Sequence, residues 1–247
     1  MQKEDEFIFG IHPIIEAIKA GREIERIWLQ MGLHGPNVGE LRKLIKQHEI
    51  AVQNVPVQKL NKISNRNHQG VIAFISPITF YHVEEIIPFI YENAQFPLFL
   101  VLDRISDVRN FGAICRTAEC AGVDAIIIPH KGAAMIHSDA MKTSAGALNR
   151  IRVCKSTNLK TTVRLLKDSG LQIVACTEKT TDTIYKAHLN TPLCIIMGSE
   201  EDGISEELFS LCDQKIKIPM QGEIGSLNVS VATAVVLYET LRQRLIE

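Results

Sequence analysis

Three segments of this 247-residue chain carry side chains whose types and spacing could do chemistry. In the first, Arg104-Ile-Ser-Asp107-Val108-Arg109-Asn110-Phe-Gly-Ala-Ile-Cys-Arg116-Thr-Ala, the guanidinium of Arg116 stands in an otherwise small and apolar run. An arginine so placed either lies at an edge or is kept for recognition of phosphate or carboxylate. Asn110 could serve the same chemistry or could simply cap a helix. The second segment, Met197-Gly198-Ser-Glu200-Glu-Asp-Gly203-Ile-Ser205, sets three consecutive acids between two glycines. Glycines let backbone approach a ligand closely. The acids oppose a nucleoside triphosphate, which a phosphate-binding loop would meet with N–H groups and a lysine. A ligand with a cationic centre or a ribose suits this loop better, although an ordinary capped turn would read the same way. The third segment, Ile218-Pro-Met220-Gln-Gly222-Glu-Ile-Gly225-Ser226-Leu227-Asn228-Val-Ser-Val-Ala232, leaves a strand at a proline and passes two glycines. It then opens a helix that Ser226 or Asn228 could cap. Neither G-x-G-x-x-G nor G-x-x-x-x-G-K-[ST] occurs in the chain.

These segments need a scaffold, and periodicity supplies one. The N-terminal part alternates helix His12–Ala20, strand Ile24–Leu29, helix Asn37–His48, strand Ile50–Val55, helix Val57–Ile63 and strand Val71–Ile75. That pattern predicts a small α/β domain over residues 1–78. Residues 79–96 hold an acidic stretch, HVEEIIPFIYENA, between prolines. They read as a linker with one interrupted helix. A second α/β domain over 97–247 starts with the apolar strand LFLVLD. There follow helix Asn110–Ala121, strand Ala125–Ile128, helix Ser138–Leu148, strand Ile151–Cys154, helix Leu159–Lys167 and strands Leu171–Cys176 and Leu193–Met197. Helix Ser205–Leu211, strand Lys215–Ile218 and the long helix Asn228–Arg244 complete it. Apolar strands alternating with helices predict a parallel sheet covered on both faces. In such sheets ligands bind at the carboxyl ends of strands, which is where all three segments fall.

Composition bounds the function. With 46% hydrophobic and 22% charged residues the chain is globular rather than disordered or fibrous. No apolar run reaches the roughly 18 residues of a membrane span, and the acidic start MQKEDEFIFG is unlike a secretory signal. A cytoplasmic protein is expected. The six cysteines form no C-x-x-C and several sit in apolar segments, so they read as reduced core residues, and the scattered histidines offer no metal site. A formal charge of −1 argues against a polyanion-binding body, but the charge is segregated. Residues 104–167 carry 11 basic and 4 acidic side chains, whereas 168–247 carry 6 and 12. The basic middle predicts a local polyanion-binding face.

Taken together and in order, the runs Asn110-Phe-Gly-Ala-Ile-Cys-Arg116-Thr-Ala, Met197-Gly-Ser-Glu200-Glu-Asp-Gly-Ile-Ser205 and Ile218-Pro-Met-…-Ser226-Leu-Asn228-Val-Ser-Val-Ala resemble the three motifs of the SpoU class of SPOUT RNA 2′-O-ribose methyltransferases. The segments Gly10-Ile-His12-Pro-Ile-Ile-Glu16-Ala and His68-Gln69-Gly70-Val resemble the two ends of the L30e-like RNA-binding domain that precedes the catalytic domain in one branch. Length and domain order are similar to the branch that methylates a guanosine ribose in 23S rRNA. One departure stands out: the family commonly has Asp-Pro-x-Asn where this chain has Asp107-Val108-Arg109-Asn110. A somewhat less rigid entry to the helix is therefore expected, with the Asn and Arg roles kept.

The resemblance implies a deep trefoil knot in the parallel-sheet domain, S-adenosylmethionine as cofactor, a homodimer and no metal. It places cofactor binding at Thr177, Gly198, Ile218, Met220, Leu227 and Asn228. It places the chemistry at Arg116, which would engage the ribose 2′-hydroxyl, with Asn110, Glu200, Ser226 and Asn228 holding arginine, ribose and cofactor. The alternatives are the same chemistry on a tRNA guanosine, or a non-catalytic RNA-binding assembly factor that kept the fold.

Overall fold

A computed structural model describes residues 7–64, 66–93 and 96–246. The chain divides into two compact units, residues 1–79 and 80–247. The acidic residues 1–6 of the N-terminus lie outside the described residues.

The first unit holds β1 (Phe7–Phe9), α1 (Ile11–Lys19), β2 (Ile24–Gln30), α2 (Pro36–Gln47), β3 (Val52–Val55), α3 (Val57–Asn61) and β4 (Val71–Ile75). Its sheet runs β1-β4-β2-β3, with β4 antiparallel to both neighbours and β2 parallel to β3. Ile14, Ile15 and Ile18 of α1 and Leu41 and Ile45 of α2 bury one face against Ile27, Leu29, Val71 and Ala73. The two motif ends noted in this unit meet in space. Gly10 N–H donates to Val71 O at 3.3 Å, and Ile11 N–H donates to Gln69 Oε1 at 3.0 Å. Gly70 has φ of 75°, a backbone conformation that strains any side chain, and a Cβ there would also press on the ends of the Gln30 and Leu33 side chains at 2.9 and 3.0 Å. Strand β1 escaped the sequence reading because three residues are too few to show a period.

The second unit holds β5 (Phe80–Tyr81), α4 (Val83–Asn93), β6 (Leu98–Leu102), α5 (Val108–Cys120), β7 (Ala125–Pro129), α6 (Ser138–Thr143), β8 (Arg152–Ser156), α7 (Leu159–Asp168), β9 (Gln172–Cys176), β10 (Leu193–Met197), α8 (Glu206–Phe209), β11 (Gln214–Ile216) and α9 (Val229–Leu245). All seven strands are parallel, in the order β11-β9-β10-β6-β7-β8-β5. Strands β6 and β10 are buried at every residue, which is why their sequences show no alternation. Right-handed crossovers put helices on opposite faces whenever the strand order reverses. Accordingly α4, α7 and α8 share one core with Phe99, Val101, Ile127, Ile173 and Ile196. Helix α5 packs with α6 and α9 on the other face.

Three expectations need correction. Residues 79–96 are no linker: Phe80 and Tyr81 pair with Val153 and Cys154 at the sheet edge, and α4 buries Val83, Ile86, Ile87 and Ile90 at helical spacing. Pro88 does not break α4 because it sits on the exposed side, where water can take the carbonyl its ring leaves unbonded. Ala94 and Gln95 of that segment lie outside the described residues. The helix expected over 138–148 stops at Thr143, since Ala145 and Gly146 adopt φ of 50° and 89°. The basic segment 104–167 is not one face, because Arg109 and Arg116 on α5 and Lys160 and Arg164 on α7 lie on opposite faces of the sheet.

Close approach also explains two sequence features. A Cβ on Gly112 would sit 2.7 Å from Thr143 Cβ and 3.0 Å from Ala140 O, so this glycine lets α5 lie against α6. At the far end of α9, Arg244 donates to Phe96 O at 2.7 Å and Thr191 O at 2.8 Å, and burial lowers its pKa from the usual arginine value. This ties the last turn of α9 to the loops that precede β6 and β10.

Candidate active site

Strands β11, β9 and β10 are neighbours, and their carboxyl ends open into one cavity of about 680 Å³. Cys176 to Lys179 border it after β9, Met197 to Ile204 after β10, and Lys217, Ile218 and Met220 after β11; Gly225 to Val229 and Ala232 close it. Thr177, Gly198, Ile218, Met220, Leu227 and Asn228 all line this cavity, as do Glu200 and Ser226. Its volume lies within the usual range of small-molecule sites. Four carboxylates (Glu178, Glu200, Glu201, Asp202) and two ammonium groups (Lys179, Lys217) border it, so its walls favour a cationic ligand centre.

The loop after β10 folds back on itself. Ser199 and Gly203 exchange backbone bonds at 3.2 and 3.0 Å, and Ser199 Oγ accepts from Asp202 N–H at 3.1 Å. The turn is possible only because residue 198 lacks a side chain: a Cβ there would stand 2.2 Å from Gly203 C and 2.3 Å from Ile204 N. Gly203 itself has φ of 70°.

At the rim, three helix and loop residues converge. Asn110 Nδ2 donates to Glu200 Oε1 at 3.1 Å, and Asn228 Nδ2 donates to the same oxygen at 2.9 Å and to Asn110 Oδ1 at 3.0 Å. Glu200 Oε1 also takes the first N–H of α9, from Val229, at 3.4 Å. A carboxylate is favoured there by the unpaired N–H groups and dipole of a 17-residue helix. Asn228 caps α9, its Oδ1 accepting from Ser230 N–H at 3.0 Å and from Ser230 Oγ at 2.6 Å. Asn110, by contrast, is not a cap. Asp107 caps α5, accepting from Asn110 N–H at 2.7 Å, which leaves the Asn110 side chain to reach Glu200. The Val108 that replaces the family's proline occupies the first helical position, and the cap is intact without it.

The structure therefore brings Asn110, Glu200 and Asn228 into contact and sets Ser226 in the same cavity without joining that network. Arg116 stands apart. It is exposed, has no hydrogen-bond or ion-pair partner among the described residues, and does not line the cavity. Helical geometry places it about 9 Å along α5 from Asn110 and about 120° around the axis.

Comparison with known proteins gives the family. The SpoU rRNA Methylase family matches residues 97–238, more than half of the chain, and the RNA 2′-O ribose methyltransferase substrate binding family matches residues 7–81. The chain belongs to the SpoU methylase family. This SpoU methylase is 37% identical over 242 residues to a protein of Staphylococcus epidermidis described as a TrmH family tRNA/rRNA methyltransferase, covering 98% of this chain and 97% of that one. It shares the fold of the AdoMet-bound rRNA methyltransferase from Sinorhizobium meliloti, with a TM-score of 0.62 and 24% identity over 96% of this chain and 87% of that one. The TrmH/SpoU tRNA modifying enzyme of A. aeolicus is 31% identical with a TM-score of 0.57, but corresponds to only 66% of this chain and 85% of its own.

Sequence reasoning missed part of the cavity lining. Glu178, Lys179 and Lys217 border it without having been singled out, although the strand-end rule reaches the residues just past β9 and β11. Asp103 was read only as the end of the strand LFLVLD and Arg104 only as one of the basic residues of 104–167. Among the described residues no group of three or more His, Cys, Asp or Glu side chains could hold a metal ion, and no helix is long and apolar enough to cross a membrane.

Proposed function

We propose that this protein methylates the ribose 2′-hydroxyl of a guanosine in 23S rRNA, using S-adenosylmethionine, in the cytoplasm. The observation that carries this reading is the convergence of every expected cofactor position on one strand-end cavity, with the Asn110–Glu200–Asn228 cluster at its rim. The donor set fits that cofactor: an acidic wall suits its sulfonium and ammonium charges, and Gly198, Ile218 and Leu227 line the cavity beside it. Thr177, Gly198, Ile218, Met220, Leu227 and Asn228 would hold it. The bound cofactor supplies an electrophilic methyl carbon.

The chain's own residues then have defined tasks. Asn110, Glu200 and Asn228 form a rigid polar rim that orients the incoming ribose, and orientation of this kind accounts for much of the rate in a two-reactant transfer. Ser226 offers a hydroxyl beside that rim. Arg116 engages the 2′-oxygen or its neighbouring phosphate and stabilises the negative charge that grows as the oxygen attacks. A guanidinium stays protonated, so Arg116 orients rather than removes the proton; the proton passes to the substrate phosphate. The same reading includes the knotted chain path of the family.

The N-terminal unit favours ribosomal RNA. It matches a substrate-binding family over residues 7–81, and the tRNA enzyme's structure matches only about the share of this chain that the second unit provides. Transcribed fragments of 23S rRNA and whole tRNAs, incubated with labelled S-adenosylmethionine and digested to nucleosides, test the proposal. 2′-O-methylguanosine from rRNA alone is the expected product; methyl on tRNA alone would reassign the substrate, and none on either RNA would leave the RNA-binding assembly factor.

The proposal includes a homodimer. Helix α9 buries Val229, Val236 and Leu237 against its own unit, yet exposes Val231, Tyr238 and Leu245 at seven-residue intervals, followed by Ile246. Tyr238 is 51% and Leu245 74% exposed. A stripe of this kind on one helix is what a second copy would cover. Sedimentation equilibrium at micromolar protein should give twice the 27.6 kDa chain mass, and Tyr238→Glu should shift it toward the monomer; a wild-type monomer would remove the dimer.

A further inference from the structure

The segment between β6 and α5 holds a second network that the chemistry above does not use. Arg104 has φ of 60°, a left-handed conformation that non-glycine residues rarely take. Such a conformation persists where the surrounding contacts over-determine it. Here those contacts are three. Arg104 Nη1 donates to Asp202 Oδ2 at 3.0 Å, Nη2 donates to Gly203 O at 3.1 Å, and Nε donates to Asp103 Oδ1 at 3.2 Å. Asp103 is 3% exposed, and its other oxygen accepts from Ser205 N–H at 2.7 Å. Its own N–H donates to Met197 O at 2.8 Å. Asp103 and Arg104 thus grip the loop after β10 at both ends, Met197 on one side and Asp202 to Ser205 on the other. The residue gripped between them is Glu200, the acceptor shared by Asn110 and Asn228.

We infer that Arg104 is a positioning residue for the cofactor cavity: by fixing Asp202 and Gly203 it sets the loop that carries Glu200, and so sets affinity for S-adenosylmethionine. This rests on the proposed cofactor reading. The acidic triplet of the loop then has two jobs. Asp202 pairs with Arg104 at 3.0 Å, while Glu200 joins the rim network and Glu201 borders the cavity. A guanidinium suits the task because its planar fork can bond a carboxylate, a backbone carbonyl and a second carboxylate at once, which an ammonium cannot match.

The left-handed backbone provides the discriminating experiment. Arg104→Ala removes the grip and keeps the unfavourable φ, whereas Arg104→Gly removes the grip and relieves it. Calorimetric binding of S-adenosylmethionine and thermal melting are measured on the full chain for both, for Arg104→Lys and for wild type. Both Ala and Gly variants should bind about tenfold more weakly, the effect of losing hydrogen bonds to charged groups, although the Gly variant melts higher than the Ala variant. Arg104→Lys should fall between these and wild type. In RNA assays the loss should appear mainly in KM for S-adenosylmethionine, with a smaller fall in kcat at saturating cofactor, because the loop that Arg104 fixes also carries Glu200 of the ribose-orienting rim. Wild-type affinity in the Ala and Gly variants overturns the inference, as does affinity that merely follows melting temperature. A wild-type protein that binds no S-adenosylmethionine overturns the cofactor reading itself, and this inference with it.

Discussion

Arg116→Ala should lower methyl transfer to RNA by about a thousandfold while leaving S-adenosylmethionine binding within about twofold of wild type, the scale seen when a charge-stabilising donor is removed from an active site. The split follows from where the residue stands. Arg116 does not line the cavity, so the cofactor loses no contact, and it has no partner among the described residues, so its removal orphans none of them. It is exposed on α5, and the substitution to alanine costs an exposed helix surface little stability. An unpaired guanidinium about one and two-thirds turns from Asn110 is available to a phosphate or a developing alkoxide, which is the role proposed for it. Arg116→Lys should retain charge without the planar fork and recover only a small part of the rate. Single-turnover transfer to the rRNA fragment, beside calorimetry of the cofactor, checks both halves. Turnover near wild type in Arg116→Ala would remove the residue from the mechanism, and lost cofactor binding would move it into the cofactor site.

The second large effect is opposite in kind. Gly198→Ala should abolish detectable cofactor binding, a weakening of about a hundredfold or more, and take activity with it. The added methyl would lie 2.2 Å from Gly203 C, 2.3 Å from Ile204 N and 2.5 Å from Gly203 O. All three are backbone atoms, which cannot step aside as the end of a flexible side chain can. The loop would have to open the Ser199–Gly203 bridge and move Glu200 away from Asn110 and Asn228. Overpacking of this kind in a closely packed site typically costs about 1–3 kcal/mol, so the second unit should still fold and only its cofactor site should fail. Circular dichroism and melting establish the fold, and calorimetry reads the site; cofactor affinity within threefold of wild type would show that the turn is not what shapes the cavity.

The two variants separate the site into parts that the sequence did not show equally. The strand ends were legible because buried parallel strands announce themselves as short apolar runs, as in LFLVL and LCIIM, and the residues just after such runs are where ligands bind. That alone led to the loop that holds Gly198 and to the segment that starts at Ile218, while Thr177 and the cofactor roles came only from the resemblance to SpoU methylases. Asn228 was legible as a possible cap, and is one. Asn110 was not decidable: a polar residue at a helix start could cap it or face a ligand, and only the structure shows Asp107 doing the capping. The resemblance to SpoU methylases covered the same residues, and the family matches over 97–238 and 7–81 confirm the family.

Charge was the weakest guide. The excess of basic residues over 104–167 is real, but charge counted along a chain says nothing about which side of a sheet each helix takes. Strand order reverses after β8, so α7 carries Lys160, Arg164 and Lys167 to the face opposite α5. Residues 79–96 misled for a related reason. Pro88 and the flanking Pro77 and Pro97 are local signals for a break, yet Val83, Ile86, Ile87 and Ile90 form an apolar stripe that the sheet buries, and burial outweighs one missing hydrogen bond on an exposed side.

The amino-acid sequence by itself determined the α/β class, nearly every element of four or more residues, the parallel sheet of the second unit and the three segments that form the site. These follow from interactions a few residues long: apolar period, cap and glycine. The tertiary structure alone decided which of those segments touch and which side chains they turn toward one another. Asn110 and Asn228 are 118 positions apart, and Arg104 and Asp202 are 98 apart. No local pattern encodes such pairs, because they close only when burial of the apolar strands fixes the order β11-β9-β10-β6 and sets the ends of β6 and β10 side by side. Arg104 is the clearest case, an ordinary basic residue in the sequence that the fold bonds to Asp202 and Gly203 of the loop after β10.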